Sequence, residues 1–254
     1  MDLKEVNSGK SIINRHPWER ARLAIIKKLL RKELNKKERI TILDIGSGDM
    51  FVAGSIAEVY LQPQIICVDT GYKDMQTVMA SNVLQVSGID QVKTVLTDTV
   101  DIVLLLDVIE HIEDEVSFLK DLLNENYITS ATKFIITVPA FQSLFSAHDS
   151  FLGHYRRYSR KILLERLSQA GLKTSNYAYF FFSLLLPRKW SQLRKRKYAV
   201  NKPFTGIGNW KGGKIITAII TAFLVADYKL SVFLRNAGIK LPGLSLYAVC
   251  QKLV

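Results

Sequence analysis

Cysteine is scarce in this chain: Cys67 and Cys250 are the two in 254 residues, each inside an apolar run, so buried thiols in a reducing cytoplasm are expected rather than a disulfide framework or a thiolate metal centre. The amino-terminal stretch MDLKEVNSGK has no apolar signal core, and secretion is not expected. The most apolar stretch of the tail, Ile215 to Ala226, runs twelve residues before Asp227 and Lys229 interrupt it, against the ~20 that a spanning helix needs. Carboxylates are nearly missing from residues 151–254, with two Asp/Glu against nineteen Lys/Arg, and they are outnumbered in residues 1–39, with five against twelve. The middle reverses the balance, with sixteen Asp/Glu against four Lys/Arg over 40–150. Such basic ends suit nucleic acid, anionic lipid or a phosphorylated substrate, and solubility alone is the plain alternative.

What is present is enough apolar material for a large core, 48% of residues, which excludes disorder for most of the chain. Helical apolar spacing over Arg20–Leu34 marks a surface helix ahead of the core. ITILDIG (40–46), PQIICVDT (63–70), DIVLLLD (101–107) and KFIITVPA (133–140) read as buried strands, and VKTVL (92–96) as a further short one. Helical spacing between them covers Phe51–Tyr60, Asp74–Val86 and Asp114–Asn124. Short apolar strands alternating with helices predict a doubly wound α/β sheet, Rossmann-like and mostly parallel, that binds ligands at the carboxyl ends of its strands.

DIGSGDM (44–50) stands at the first of those ends, where Gly46 and Gly48 allow a tight turn and close approach of a ligand to the backbone. The third glycine of the dinucleotide fingerprint is absent, since Phe51 fills its place. Asp69 ends the second strand twenty-one residues after Gly48, suited to accept both hydroxyls of a ribose. LLLDVIEHIEDE brings Asp107, Glu110 and His111 to the same rim. Carboxylates there repel a pyrophosphate and favour a cation, such as the sulfonium of S-adenosylmethionine. Taken singly, Asp44 reads equally as a turn former, Asp107 as a helix cap and the acidic cluster as a solvated helix start.

ILDIGSGD, IICVD, DIVLLLDVIEHIEDEVSFL and FIITVPA, followed by HYRRYSRKILLERLSQAGL, resemble the successive motifs of class I S-adenosylmethionine-dependent methyltransferases, in the small-molecule branch that includes the quinone O-methyltransferases. The resemblance runs from about His16 to Phe182, with a weaker return at GLSLYAVCQK. It implies a seven-stranded sheet whose final antiparallel pair is SNYAYFFFS (175–183) and LSLYAVCQK (244–252). Four segments follow from it: a basic helical segment 1–39, a cofactor-binding core 40–183, a basic and apolar insertion 184–243, and the last strand 244–254. By position it implies that Gly46 and Gly48 line the methionine part of S-adenosylmethionine, that Asp44 supports their loop, that Asp69 holds the ribose and that Asp107 reaches the cofactor. Asp98 is the candidate for the adenine contact. Met50 departs from the pattern, because many members have a third glycine there. No metal is implied.

The segment AHDSFLGHYRRYS (147–159) follows FIITVPA and so crosses the rim from which the methyl group would project. Its polar groups are expected to face the acceptor: Asp149, Tyr155, Arg156 and Arg157 as substrate contacts, with His111, His148 or His154 as the base if the acceptor is a hydroxyl. The alternative for the arginines is pairing with the acidic helix 113–125. In the tail, Arg188, Lys189 and Arg194–Lys197 stand beside Trp190 and Tyr198, ahead of KIITAIITAFLVADYKLSVFL (214–234). Three placements are open for that run: packed on the sheet, lying at a membrane interface, or spanning. The expected activity is methylation, most simply at oxygen, of a small, lipidic or glycan-like acceptor, by a cytoplasmic protein for which the inner face of an anionic membrane is a candidate partner. An RNA methyltransferase, or a non-catalytic protein that holds a membrane or a partner, is the alternative; against RNA, the N-P-P-Y pattern of nucleobase amino-methyltransferases is missing after FIITVPA.

Overall fold

The computed structural model describes residues 15–34, 39–60, 63–74, 82–96, 98–190 and 210–253. Seven strands, β1 (Ile40–Ile45), β2 (Pro63–Val68), β3 (Val83–Val86), β4 (Ile102–Leu106), β5 (Lys133–Pro139), β6 (Leu172–Phe180) and β7 (Ser245–Lys252), form one sheet in the order β3-β2-β1-β4-β5-β7-β6. β7 alone runs antiparallel to its neighbours β5 and β6. Every residue of β4 is buried, as the unbroken run IVLLL requires of a central strand covered on both faces.

Side chains alternate between two cores. Leu43 and Ile45 join Leu119, Leu163 and Leu167 on one face, from helices α4 (Glu115–Leu123) and α6 (Arg160–Gln169). Ile40 and Ile42 join Ile25, Leu29, Ile56 and Leu224 on the other, from α1 (Pro17–Glu33), α2 (Phe51–Ala57) and the long α7 (Lys214–Asn236). Both cysteines are free and buried in these cores, and burial pushes both thiols up, Cys250 to about 12.

Two expectations reverse between β2 and β4. Val83–Val86, which helical spacing had claimed, is a strand paired in parallel with β2, while Val92–Val95 in VKTVL is a short helix, α3. Of that segment only Val92 is buried, too little apolar contact to hold a central strand.

α7 has 23 residues, long enough to cross a membrane, and its most apolar 18-residue window has a mean hydropathy of 1.7 with 28% of that window buried. One face, with Thr217, Leu224, Asp227, Tyr228 and Ser231, packs inward, largely on α1. Asp227 accepts from the backbone N–H and hydroxyl of Ser183. The outer face leaves Ile215, Ile216, Ile219, Phe223, Leu230 and Phe233 each more than half exposed. At 3.6 residues per turn these six fall in one stripe along the helix.

Candidate functional site

The carboxyl ends of β1, β2, β4 and β5 meet at one rim, and the chain turns there through positive φ at five positions, the last of them Phe141 (φ 62°) after β5. Gly46 (φ 69°) and Gly48 (φ 56°) make the turn after β1, and a Cβ on Gly46 would lie 2.6 Å from Val108 Cγ2. Met50 adopts φ 59° where the resemblance has a glycine; its side chain is 1% exposed and its sulfur accepts from Gln85 Nε2 at 2.8 Å. The strain of a left-handed residue there is offset by burying the thioether. Asp107, at the end of β4, is the fourth (φ 59°).

The Asp69 carboxylate ties this rim together. Its Oδ2 accepts from the Gly48 N–H and its Oδ1 from the Gly71 N–H, both at 2.9 Å. Each oxygen keeps a second lone pair for a diol. Asp44 is 2% exposed at the foot of the glycine turn, and burial, with Asp69 adding to it, raises its carboxyl to about 7. Ser47 Oγ lies 2.8 Å from the Tyr72 hydroxyl, closing the underside of the turn.

Opposite the acids stand two arginines of the α1 end that the sequence reading did not single out. Arg15 pairs with Asp49 and lies over the Phe51 ring at 4.3 Å, and Arg22 pairs with Asp107 at 3.1 Å. Arg22 is 6% exposed, and its Nε and Nη2 are buried without a protein acceptor. The rim is therefore zwitterionic, which corrects the picture of a purely acidic site. Asp44 suits an ammonium and the Arg22 donors suit a carboxylate, together the two ends of an α-amino acid. The cavity enclosed by Arg22, Asp44, Gly46 and Asp49 measures only ≈20 Å³, room for about one water.

Asp98 is not at this rim. It is exposed on the connection into the amino end of β4, beside Tyr127 and Lys93 in a separate cavity of ≈320 Å³. Three residues on, Asp101 bonds the backbone of Thr41 near the start of β1, which fixes that end of the sheet. The turn after β3, Ser87–Asp90, is the part of that connection that reaches the ligand rim.

The segment 147–159 is a helix and a strap rather than an open loop. α5 (Ala147–Leu152) starts with a capping box between Ser146 and Asp149 and ends at Gly153 (φ 81°). The Tyr155 N–H then donates to the Glu110 carbonyl, and Tyr158 bridges to Ala140 beside β5. Asp149 is fully buried and accepts from Ser146 N–H and Oγ, His154 Nδ1 (3.0 Å) and Arg157 Nε (2.7 Å). Burial works to raise this carboxyl, and the bonds from His154 and Arg157 outweigh it, holding it well below the usual range. Ionised, Asp149 can only accept, so a neutral His154 carries its proton on Nδ1 and presents Nε2 as an acceptor.

That placement reassigns the expected substrate contacts. Asp149 and Arg157 are buried and satisfied within the strap, and Arg156 pairs with Glu115 and donates to the Glu113 carbonyl, as the helix-pairing alternative had it. Tyr155 remains 52% exposed, its ring under the Arg156 guanidinium. His148 is half-buried, and burial, followed by the Arg188 charge, lowers it to about 4. His111 and His154 meet edge to face, with ring centroids 4.5 Å apart. Beneath them Glu110 is fully buried with neither carboxylate oxygen bonded, and burial, then Asp107, raises its carboxyl far above normal. Glu110, His111 and His154 offer ligand atoms within 4.8 Å of one another, a donor set chemically able to take a divalent cation. Burial of Glu110 is invisible in sequence, where EHIEDE reads as solvated.

Solved structures share this architecture at low identity. The plantazolicin methyltransferase BamL, in complex with a triazolic desmethylPZN analog and SAH, superposes with a TM-score of 0.54 at 12% identity, over 92% of this chain and 86% of its own. A putative sarcosine dimethylglycine methyltransferase from Galdieria sulphuraria gives 0.53 at 13%, over 91% and 84%. A SAM dependent methyltransferase from Archaeoglobus fulgidus gives 0.50 at 16%, over 91% and 94%. No protein-family model and no curated protein matches the chain. The likeness shows the fold, that of the class I S-adenosylmethionine-dependent methyltransferases.

Proposed function

We propose that the chain transfers the methyl group of S-adenosylmethionine to a hydroxyl oxygen of a small amphiphilic acceptor, lipidic or glycan-like, taken from an anionic membrane surface. The observation that carries this reading is one rim that brings together Asp44, the two Arg22 donors without a protein acceptor, the Asp69 carboxylate on the glycine turn, and His154, whose Nδ1 is held by Asp149. S-adenosylmethionine supplies an electrophilic methyl on a sulfonium. Asp44 and Arg22 hold its amino-acid end, Asp69 its ribose, and the glycine turn lets its backbone-facing edge approach. Most of the rate comes from aligning acceptor oxygen, methyl carbon and sulfur. With S-adenosylmethionine bound, its sulfonium would supply the methyl group and depart as the neutral thioether, and His154 Nε2 would take the proton released by the acceptor hydroxyl. Asp149 then stabilises the imidazolium from the Nδ1 side. His148, lowered to about 4 by burial and the Arg188 charge, is a poor base at neutral pH, and His154 is the one oriented by a carboxylate.

The membrane half of the reading rests on the exposed stripe of α7, flanked by Lys211, Lys214 and Lys229, with Trp190 and Leu186 also exposed. An apolar face with cations at its margins lies flat at an anionic interface. The cluster Arg194–Lys197 and Tyr198 lie outside the described residues. Incubation of cell extract with the protein and isotopically methyl-labelled S-adenosylmethionine, read by mass spectrometry, tests the whole proposal. A labelled, membrane-extractable methyl ether is the expected product; an extract in which nothing gains label with wild type over Asp69→Ala overturns it.

A further inference from the structure

Outside the rim, a cleft of ≈570 Å³ runs along β6, the edge strand of the sheet. Arg160, Arg235 and Lys240 line it together with Phe141, Tyr177 and Tyr179, and among the described residues no carboxylate does. Three like charges on one concave wall repel one another, and an anion in the cleft relieves that repulsion. The two arginines are held in place. Arg235 Nη1 donates to Asn176 Oδ1 at 3.0 Å and the Tyr177 carbonyl at 2.9 Å. The Arg160 guanidinium sits over the Tyr177 ring at 5.8 Å, its Nη1 donating to the Tyr177 hydroxyl at 3.4 Å and its backbone N–H to the Tyr179 hydroxyl at 2.9 Å. Phe141 stacks on Tyr179 with ring centroids 5.2 Å apart and planes 11° from parallel.

Two of its lining residues adjoin, along the chain, elements of the candidate methyl-transfer rim: Phe141 lies two residues after the end of β5, and Arg160 opens α6 immediately after the strap that carries His154. Its other wall is the last part of α7, through Ser231 and Arg235, the helix whose outer face carries the apolar stripe. We infer that this cleft is a phosphate-binding subsite that takes a phosphate or diphosphate group of the acceptor, with Arg160 and Arg235 as forked donors and Lys240 as a point charge. A volume of this size accepts a diphosphate with the first part of whatever it bears. The word acceptor rests on the methyl-transfer reading; the anion site itself does not.

Calorimetric titration of the full chain, without S-adenosylmethionine, tests it with two probes: inorganic pyrophosphate for a soluble source and farnesyl diphosphate for a lipid one. Wild type is expected to bind one equivalent, and Arg160→Gln with Lys240→Gln to bind ~100-fold more weakly, roughly tenfold for each charge-assisted contact removed. Both side chains are exposed, so the thermal midpoint and S-adenosylmethionine affinity stay as in wild type. Equal affinity for the two probes assigns the site to soluble phosphates, and a preference for farnesyl diphosphate assigns it to lipid-borne ones. Failure of both probes to bind wild type, or unchanged affinity in the double variant, overturns the subsite. A chain that binds either probe here but not S-adenosylmethionine keeps the subsite and loses the methyl-transfer reading.

Discussion

At the scale of single residues, Asp44 gives the rim a pH dependence of fixed sign. Burial, and then Asp69, hold its carboxyl near 7 in the folded chain, against about 4 when unfolded. Between those values the folded state binds the extra proton, so stability of the ligand-free protein falls as pH rises from about 4 to about 7. An ammonium-bearing ligand prefers the ionised form, so stabilisation by S-adenosylmethionine grows across the same window. Scanning fluorimetry with and without ligand reads both slopes; Asp44→Asn is expected to flatten them, and parallel curves in wild type and variant would exclude Asp44 as their source. His154→Ala separates chemistry from binding: turnover is expected to fall ~100-fold or more with S-adenosylmethionine affinity unchanged. A loss of affinity at constant turnover per bound enzyme would move the strap to the wrong ligand.

At the scale of elements, α7 is where membrane contact is decided. Ile219→Glu with Phe223→Glu places two charges on the exposed stripe without touching the packed face. Sedimentation with anionic vesicles is expected to fall to the level seen with neutral ones, and high salt to weaken wild-type binding in part, because only the electrostatic share is screened. Equal sedimentation of wild type and double variant would remove the stripe from the membrane account. The elements also show what local pattern can carry. β1, β2, β4 and β5 were legible because strands buried on both faces must be apolar throughout. Val83–Val86 was not, since four residues on a sheet margin with Leu84 and Gln85 only half-buried give no period to read. VKTVL misled in the opposite sense: its β-branched residues favour a strand, but only Val92 is fully buried, with Val95 and Leu96 packed at the margin of the core.

For the whole molecule, the order of strand-end motifs in the sequence was enough to place Gly46, Gly48, Asp69 and Asp107 at one rim, because a parallel sheet puts every strand's carboxyl end on the same side. It was not enough for Arg22 or Glu110, whose burial is made by elements distant in sequence, nor for Asp98, which the α3 connection carries to the other end of the sheet. Arg22 matters most, since its two buried donors without acceptors are the strongest sign that an anionic group belongs in the cradle. Calorimetric titration of the purified chain with S-adenosylmethionine is therefore the most direct measurement. The account predicts one equivalent bound, with affinity lowered by one to two decades in Asp69→Ala, the loss of a charge-assisted bond worth roughly 1.5 to 3 kcal/mol, and by a similar factor in Arg22→Gln. No heat and no thermal shift at millimolar ligand, or the same dissociation constant in all three proteins, would contradict it.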